Sequence, residues 1–365
     1  MHIMRRLAGG LLLLLHAGCC DDPGARGPGT RLGEAWRPGV DAVERSLLLY
    51  VKLPKCASST TGGVARRVAA RHGLVGARKT GKHHCPPPDA SAVPCGPFRN
   101  GQQVWASHMK LREAILHVPA QLARKVFLFT VVREPLARAV SNYLHFGVTR
   151  KHKPHNDSDI GAYLLGMHDG PLVSYASPGP GDAPARLLAT YDLVGTVELY
   201  DETMTLLAAR LGVPLTDVLY VSAKNASARG AAEQGERHVA AGAAQLARVR
   251  AAYGADFERH QTKDYALWRG ATALVEAAVD RGALARYRAL KAFAADPCGA
   301  DPASFTEAQC LWKDNGCGQA CLDDRAGEYE KRFRPVLTVP APADASRPAR
   351  HSTTTREGVP ARPHS

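Results

Sequence analysis

The sequence predicts an α/β fold in which a P-loop-like parallel sheet is covered by helices on both faces. Short apolar runs typical of strands alternate along the chain with segments whose apolar residues recur at helical spacing. The strand-like runs are apolar throughout, as expected of strands buried on both faces of a sheet. With 365 residues, 45% of them hydrophobic, the chain can bury one large core. We therefore expect one folded domain with appendages at its ends.

Four strand-like runs set the predicted order of elements, and helical patterns follow the first three. In the third unit, Asp201 and Glu202 favour a helix start and Gly212 favours its end. The first predicted strand is 46–53 and its helix 62–74, and the second strand is 125–132 and its helix 136–146. Residues 191–213 contain the third strand and its helix, and the fourth strand is 217–222.

Composition predicts the remaining segments. Residues 231–294 are rich in alanine, with a helical pattern interrupted at 257–264, and predict two or three helices packed on the sheet. The chain is thereby divided into a leader at 1–20, a flexible stem at 21–44, a folded domain at 45–330 and a disordered tail at 331–365.

The N-terminus has the pattern of a secretory leader. Arg5 and Arg6 precede an apolar stretch that contains five consecutive leucines and ends before Asp21. The stretch is shorter than the roughly 20 residues of a membrane-spanning helix, so a cleaved signal peptide and a short signal anchor both fit. A weaker similarity to a bacterial lipobox ends at Cys19. We therefore expect the protein to contact a membrane only through this N-terminal segment, and only if the segment is not cleaved.

The nine cysteines predict disulfides behind the leader. Cys85 and Cys95 bracket a proline-rich loop, and four others make the C-terminal part of the domain disulfide-rich. A zinc site is the alternative for these four, but their spacing matches no common paired zinc knuckle. The late cysteines are Cys298, Cys310, Cys317 and Cys321. The sequons at Asn156 and Asn225 are compatible with a lumenal protein.

The formal charge of +13 and the isoelectric point near 9.4 indicate anionic partners. Nucleic acid is the weaker choice, because the basic residues are spread along the chain and no zinc-finger, RRM or basic-zipper pattern is present. A nucleotide or an acidic glycan fits the same charge.

The loop at 53–61 joins a buried strand to a helix, and a helix start after a strand is a favourable place for an anion. Lys55 offers a positive charge there, and the hydroxyls of Ser58, Ser59 and Thr60 can donate hydrogen bonds to phosphate or sulfate oxygens. A hydroxyl-rich N-cap with a solvated lysine is the structural alternative. The loop lacks the glycine spacing of a Walker A motif, which disfavours an ATP-dependent kinase.

A second anion site is predicted at the next strand-to-helix junction. Arg133 ends the second strand, and Ser141 follows eight residues later, two turns along the next helix. Arg133 supplies a planar charged donor and Ser141 a hydroxyl. The structural alternatives are an arginine that neutralises a carboxylate near Glu134 and an ordinary helical serine.

These two segments resemble the phosphate-binding motifs of Golgi carbohydrate sulfotransferases, in particular the galactose-3-O-sulfotransferase family, and more distantly the uronosyl 2-O-sulfotransferases. The family has Lys-Thr-Ala-Ser-Ser where this chain has Lys55, Cys56, Ala57, Ser58 and Ser59. The resemblance extends over about 46–325 and includes 192–212 and 217–227, where Ser227 replaces an arginine of the family.

The resemblance implies a sulfotransferase fold and the sulfuryl donor 3′-phosphoadenosine 5′-phosphosulfate (PAPS). Residues 55–60 are then expected to bind the 5′-phosphosulfate, and Arg133 with Ser141 the 3′-phosphate. Lys55 would neutralise charge on the bridging oxygen. No metal is expected to take part, and the Golgi lumen is the expected compartment.

His108 is the predicted general base. It lies in Ser-His-Met-Lys, which resembles the His-x-Arg-Phe segment of the same family, whereas His117 has no such match. An imidazole, with an ordinary pKa of about 6.5, is suited to taking a proton from a sugar hydroxyl. With 15 histidines in the chain, a structural role is the alternative for any one of them. Glu198, at a strand end, is a candidate for a second polar group that faces the site, and a buried structural carboxylate is the alternative.

The predicted function is transfer of a sulfuryl group from PAPS to a carbohydrate, with the 3-hydroxyl of galactose on a glycolipid or glycoprotein as the favoured acceptor. A uronosyl 2-O-sulfotransferase acting on a polysaccharide is the alternative. A kinase lacks its Walker A glycines here, and a non-catalytic glycan-binding module would not need both phosphate motifs.

Overall fold

A parallel sheet of four strands forms the centre of the computed structural model, which describes residues 47–74, 103–118, 126–179, 183–222, 243–301 and 316–333. The strands lie in the order β2-β1-β3-β4, and every pairing is parallel. The strands are β1 (Leu47–Val51), β2 (Val104–Ser107), β3 (Val126–Val132) and β4 (Leu193–Thr196).

Helices connect and cover these strands. They are α1 (Ser58–Arg71), α2 (Leu111–His117), α3 (Pro135–Asn142), α4 (Asp157–Leu165), α5 (Pro171–Ala176), α6 (Pro184–Thr190), α7 (Tyr200–Leu211), α8 (Ala243–His260), α9 (Thr262–Ala278), α10 (Arg281–Ala300) and α11 (Gln319–Phe333). A π-helix, Tyr143–Thr149, continues α3, and a 3₁₀ turn, Leu215–Val218, follows α7.

Both faces of the sheet are buried, which confirms the predicted α/β fold. Alternate side chains of β1 point to opposite faces. Leu48 and Tyr50 belong to a core cluster with residues of α1, α7 and α10, while Val51 belongs to a second cluster with residues of α5, α6 and α9. Tyr50 stacks on Phe129 of the neighbouring strand, with ring centroids 4.7 Å apart. The continuously apolar strand runs reflect this two-sided burial.

The strand order creates a switch point between β1 and β3. The chain leaves β1 towards β2 on one side, and leaves β3 towards β4 on the other. In open α/β sheets, ligands bind in the crevice at the carboxyl ends of the two strands where the order reverses. The two loops with predicted anion-binding residues begin at these two strand ends.

The strand predicted at 217–222 is wrong. This segment contains the end of the 3₁₀ turn, and Val221 makes only an isolated antiparallel bridge to Cys317. Its apolar side chains, such as Val218 and Leu219, are buried in the main core cluster, so their pattern signalled burial and not pairing. The fourth strand is instead β2, whose four residues include the half-buried Trp105.

The other elements occur close to their predicted positions. Helix α1 begins at Ser58, four residues before the pattern that predicted it, because the hydroxyl-rich loop itself forms the first turn. Gly212 ends α7 with φ of 65°, as expected of a glycine after a helix. The interruption predicted at 257–264 is the break at Gln261 between α8 and α9.

The C-terminal region is held by disulfides, not by a zinc site built from four cysteine ligands. Cys298 of α10 is bonded to Cys321 of α11, and Cys317 is also disulfide-bonded. Helix α11 in turn contacts α1: Asp323 accepts a hydrogen bond from the buried Arg67 at 2.7 Å, and Arg71 also pairs with it. The helix that begins at the predicted anion site is thus fixed at its far end.

Removal of the Cys298–Cys321 disulfide is expected to destabilise the domain. The bond closes a loop with a sequence separation of 23, for which the chain-entropy model gives about 3 kcal/mol. The Cys298→Ala/Cys321→Ala double variant should therefore unfold at a lower urea concentration, with an m-value that is equal or larger because the unfolded chain without the cross-link is less compact. An unchanged midpoint would contradict a stabilising role of this bond.

Several predictions fall outside the described residues: the leader, the stem, Cys85, Cys95, Cys310, Asn225 and the tail beyond Phe333. Residues 331–333, placed at the start of the tail, belong to helix α11. Among the described helices, none combines the length and apolar character that a membrane span requires.

Candidate functional site at the carboxyl edge of the sheet

Three predicted site residues, Lys55, His108 and Arg133, follow three adjacent strands. The strands are parallel, so their carboxyl ends meet at one edge of the sheet. Arg133 donates from Nη1 to the carbonyl oxygen of Lys55 at 3.4 Å. His108 hydrogen-bonds through Nδ1 to the carbonyl oxygen of Lys52 at 3.0 Å. These hydrogen bonds join Arg133 and His108 to the β1–α1 loop, although they lie 78 and 56 residues along the chain from their partners there.

The β1–α1 loop has an unusual backbone conformation. Lys55 and Ala57 have φ of 67° and 51°, in the left-handed region that residues with side chains seldom adopt. Such conformations are retained where the surrounding structure imposes them, often at ligand sites. Backbone N–H groups around left-handed residues converge on one side and form a concavity suited to an anion. This conformation favours an anion-binding loop over an ordinary hydroxyl-rich cap.

The first turn of α1 carries donors at the same place. Ser58 and Ser59 are buried, yet their hydroxyls make no hydrogen bond within the described part of the chain, and neither caps the helix. Thr60 is half-buried. Thr61, by contrast, is fully used: its hydroxyl bonds to the carbonyl of Ala57 at 3.2 Å and to the Tyr200 hydroxyl at 2.7 Å. The N-terminal N–H groups and dipole of α1 add to the attraction for an anion.

Cys56 does not present its side chain to this concavity. It is fully buried in the apolar cluster with Leu53 and Val132, and its Sγ lies 3.7 Å from the carbonyl oxygen of Pro54. A side-chain donor is therefore not lost to the site through the presence of cysteine in place of threonine. Its backbone N–H donates to the carbonyl oxygen of Leu53 at 3.4 Å.

Cys56 is expected to resist alkylation in the native protein. Burial raises the pKa of its thiol to about 12, although the charges of Arg138 and Arg133 act in the opposite direction. Because the thiolate is the reactive form, a pKa higher by three units reduces it roughly a thousandfold at pH 8. Iodoacetamide should label the Cys56 peptide in urea but not in native buffer, as followed by mass spectrometry. Equal labelling in both states would contradict burial.

Glu134, next to Arg133, is occupied by other partners. Arg250 donates to both of its carboxylate oxygens, at 3.1 and 3.0 Å, and Tyr265 donates to Oε1 at 2.8 Å. Glu134 also caps α3 by accepting from the N–H of Ala137 at 2.7 Å. Arg133 has no carboxylate partner among the described residues, so the structural alternative of an Arg133–carboxylate pair does not apply there.

Ser141 lies on α3, as predicted, six residues after the helix begins. It is half-buried, and its hydroxyl has no hydrogen-bond partner within the described segments. Immediately after it, the helix widens into the π-helix, a form that occurs often at functional sites. The structure thus places Arg133 and Ser141 at the start and near the end of one short helix.

The contact of His108 with Lys52 defines its tautomer. A carbonyl oxygen only accepts, so Nδ1 carries the proton, and in a neutral imidazole Nε2 then holds the lone pair. His108 directly follows β2 and is half-buried. This arrangement is the one required of a general base that accepts a proton at Nε2. The backbone of His117 ends helix α2.

Two basic residues near the site were not singled out from the sequence. Arg138 on α3 is only 6% exposed, its Nε has no hydrogen-bond partner among the residues that the structure describes, and its charge acts on Cys56. Lys52 is fully buried at the end of β1. Two sequence features could have identified them: Lys52 is a lysine within an apolar strand run, and Arg138 follows Arg133 by five residues. The positive charge of Arg138, close enough to act on Cys56 in the loop, raises the potential for an anion there.

Glu198 has a structural role in the described residues. It accepts from the backbone N–H of Glu134 at 3.0 Å and from the indole of Trp268 at 3.0 Å. It therefore links the end of β4 to the β3–α3 junction and helps to hold the backbone beside Arg133. These contacts favour a structural role for Glu198 over a role as a polar group that faces the site.

A family model described as "Sulfotransferase family" matches residues 40–164, roughly a third of the chain. The match contains β1, β2, β3 and their loops, and therefore Lys55, His108, Arg133 and Ser141. It indicates a sulfotransferase enzyme, and a sulfotransferase implies PAPS as donor and an acceptor of a kind that the match does not specify. A search of curated proteins found no match, and neither did a search of solved structures.

Proposed function

We propose that the protein transfers a sulfuryl group from PAPS to a carbohydrate hydroxyl, with the 3-hydroxyl of galactose as the favoured acceptor. The observation that carries this proposal is the hydrogen bond between Arg133 Nη1 and the Lys55 carbonyl. It joins two loops with predicted anion-binding residues, separated by 78 residues, at the switch point of the sheet. A nucleotide with phosphate groups at both its 3′ and 5′ positions requires two such sites.

The residues at this edge fit that nucleotide. The unbonded hydroxyls of Ser58 and Ser59, with the N-terminus of α1, would hold the 5′-phosphosulfate. Arg133, which has no carboxylate partner among the described residues, and Ser141 would hold the 3′-phosphate. PAPS supplies an activated sulfuryl group on a phosphate leaving group. Lys55 would neutralise the charge that develops on the bridging oxygen.

His108 would act as the general base. Nε2 would accept the proton of the acceptor hydroxyl as its oxygen forms a bond to sulfur and the bond from sulfur to the bridging oxygen breaks. The products are a sulfate ester and 3′,5′-adenosine bisphosphate. The lone pair placed at Nε2 by the Lys52 contact supports this role.

The acceptor and the compartment rest on the sequence. Galactose is favoured by the resemblance of residues 55–59 and 131–146 to the galactose sulfotransferases. A Golgi lumenal location, with membrane attachment if the leader is retained, is favoured by that leader and agrees with the Cys298–Cys321 disulfide.

The proposed function is tested with the purified full-length protein, radiolabelled PAPS and a panel of galactosides and uronosyl glycans. We expect labelled product with at least one acceptor, and binding of 3′,5′-adenosine bisphosphate by calorimetry. Radiolabelled ATP serves as the control for a kinase. No product with any acceptor, together with no nucleotide binding, would overturn the proposal.

A further inference from the structure

A run of exposed positive charge follows the helix that carries Ser141. Residues 150–153, whose sequence is Arg-Lys-His-Lys, come directly after the π-helix and are all exposed. Phe146 is 38% exposed, and the guanidinium of Arg150 lies over its ring, 5.1 Å from the centroid. We refer to Phe146 and residues 150–153 as the basic surface.

The backbone of the basic surface is fixed by hydrogen bonds. The N–H of His152 donates to the carbonyl of Val148 at 3.0 Å, and the N–H of Lys153 to that of Gly147 at 3.1 Å. The hydroxyl of Tyr143 donates to the carbonyl of Pro154 at 2.7 Å and so holds the end of the segment. A surface that is ordered in advance loses less entropy when it binds a partner.

The charges of the basic surface are not compensated within the described part of the chain. No described carboxylate pairs with Arg150, Lys151 or Lys153. The next acidic residue along the chain, Asp157, accepts instead from Arg248 at 2.8 Å. An uncompensated group of cations attracts an anionic partner. Cations near the C-terminal end of a helix also interact favourably with its dipole. In that purely structural role, their removal would lower the Tm without changing the binding of an anionic partner.

We propose that the basic surface docks acidic sugars of the acceptor chain that neighbour the sugar to be sulfated. The cations match carboxylate or sulfate groups, and the part of the Phe146 ring that Arg150 leaves exposed offers an apolar contact to a pyranose, a feature that a simple polyanion site does not need. One helical segment joins Ser141 to Arg150, with a rise along its axis of at most about 14 Å at about 1.5 Å per residue. The proposal rests on the proposed function, because it assumes a glycan acceptor.

The test compares two variants of equal charge in the full-length protein. Lys151→Ser/Lys153→Ser removes two charges from the basic surface, and Arg281→Ser/Lys331→Ser removes two exposed charges elsewhere. Calorimetry with chondroitin sulfate should give an approximately tenfold higher Kd for the first variant and less than a twofold change for the second, at fixed ionic strength. Phe146→Ala should weaken binding of chondroitin sulfate but not of inorganic polyphosphate, which has no sugar ring.

Binding of 3′,5′-adenosine bisphosphate is measured in parallel and should be unchanged in all three variants. If that nucleotide does not bind even to the unsubstituted protein, the proposed function fails, whatever the polysaccharide results. Equal losses in the two charge variants would overturn the docking surface in favour of net charge. It would also be overturned by a lowered Tm without a change in polysaccharide binding. Lysine-dependent binding of phosphatidylserine vesicles, but not of polysaccharide, would overturn it in favour of a membrane.

Discussion

Replacement of His108 by alanine should abolish most turnover while nucleotide binding is retained. General-base catalysis contributes about 10²- to 10⁴-fold, so kcat should fall by that factor. The hydrogen bond of His108 to the β1–α1 loop is to the carbonyl oxygen of Lys52, which is not one of the groups proposed to bind the anion. The Kd of 3′,5′-adenosine bisphosphate should therefore change less than about twofold.

The measurement combines initial rates with radiolabelled PAPS and calorimetry with the bisphosphate product. The matched control is His260→Ala, since His260 is exposed at the end of α8 and should leave both quantities unchanged. His108→Asn tests the position further, because its amide can keep a hydrogen bond to Lys52 but cannot act as a base. If His108→Asn retained normal kcat, His108 would be a structural residue. Loss of nucleotide binding in His108→Ala would place it in the donor site.

The meeting of the two loops with predicted anion-binding residues was predictable because it follows from topology. Strands β1 and β3 were recognised as apolar runs, and an alternating strand and helix order predicts parallel strands. The carboxyl ends of parallel strands share one edge, so Lys55 and Arg133 had to lie on the same side of the sheet. That they flank the switch point depended on the strand order, which the sequence pattern does not contain.

The partners of Glu134 could not be predicted. Arg250 and Tyr265 are 116 and 131 residues away along the chain, and they lie on helices whose alanine-rich pattern predicts only that they pack. Without them, Glu134 was a plausible partner for Arg133. The pairing with Arg250 leaves Arg133 to contact the Lys55 loop instead.

The segment at 217–222 shows the limit of apolar patterns. Val218, Leu219 and Val221 are buried, so the pattern reported burial correctly. Whether a buried run pairs as a strand depends on a neighbouring edge, and here the chain meets only Cys317 in a single bridge. The left-handed conformations of Lys55 and Ala57, on either side of the buried Cys56, were likewise not predictable, because no sequence pattern signals such residues when they are not glycine.

Replacement of Arg133 by alanine should remove most of the affinity for the 3′-phosphate. Hydrogen bonds to charged groups contribute about 1.5 to 3 kcal/mol, and Arg133 can offer a fork of two donors. The Kd of 3′,5′-adenosine bisphosphate should rise by about 10- to 100-fold. Arg133→Lys retains the charge but not the planar fork, so its Kd for 3′,5′-adenosine bisphosphate should lie between that of the unsubstituted protein and that of Arg133→Ala.

The ligand itself supplies the sharpest control for this prediction. Adenosine 5′-phosphate lacks the 3′-phosphate, so its weaker binding should change less than about twofold in Arg133→Ala. Arg269→Ala, which removes an exposed arginine of α9 paired with Glu258, should leave the affinity for both nucleotides unchanged. Equal losses for both nucleotides in Arg133→Ala would mean that Arg133 acts through the Lys55 carbonyl, as a support of the 5′-phosphosulfate loop. A selective loss for the bisphosphate would instead place its guanidinium on the 3′-phosphate, and the hydrogen bond to Lys55 would then fix the spacing between the two phosphate sites.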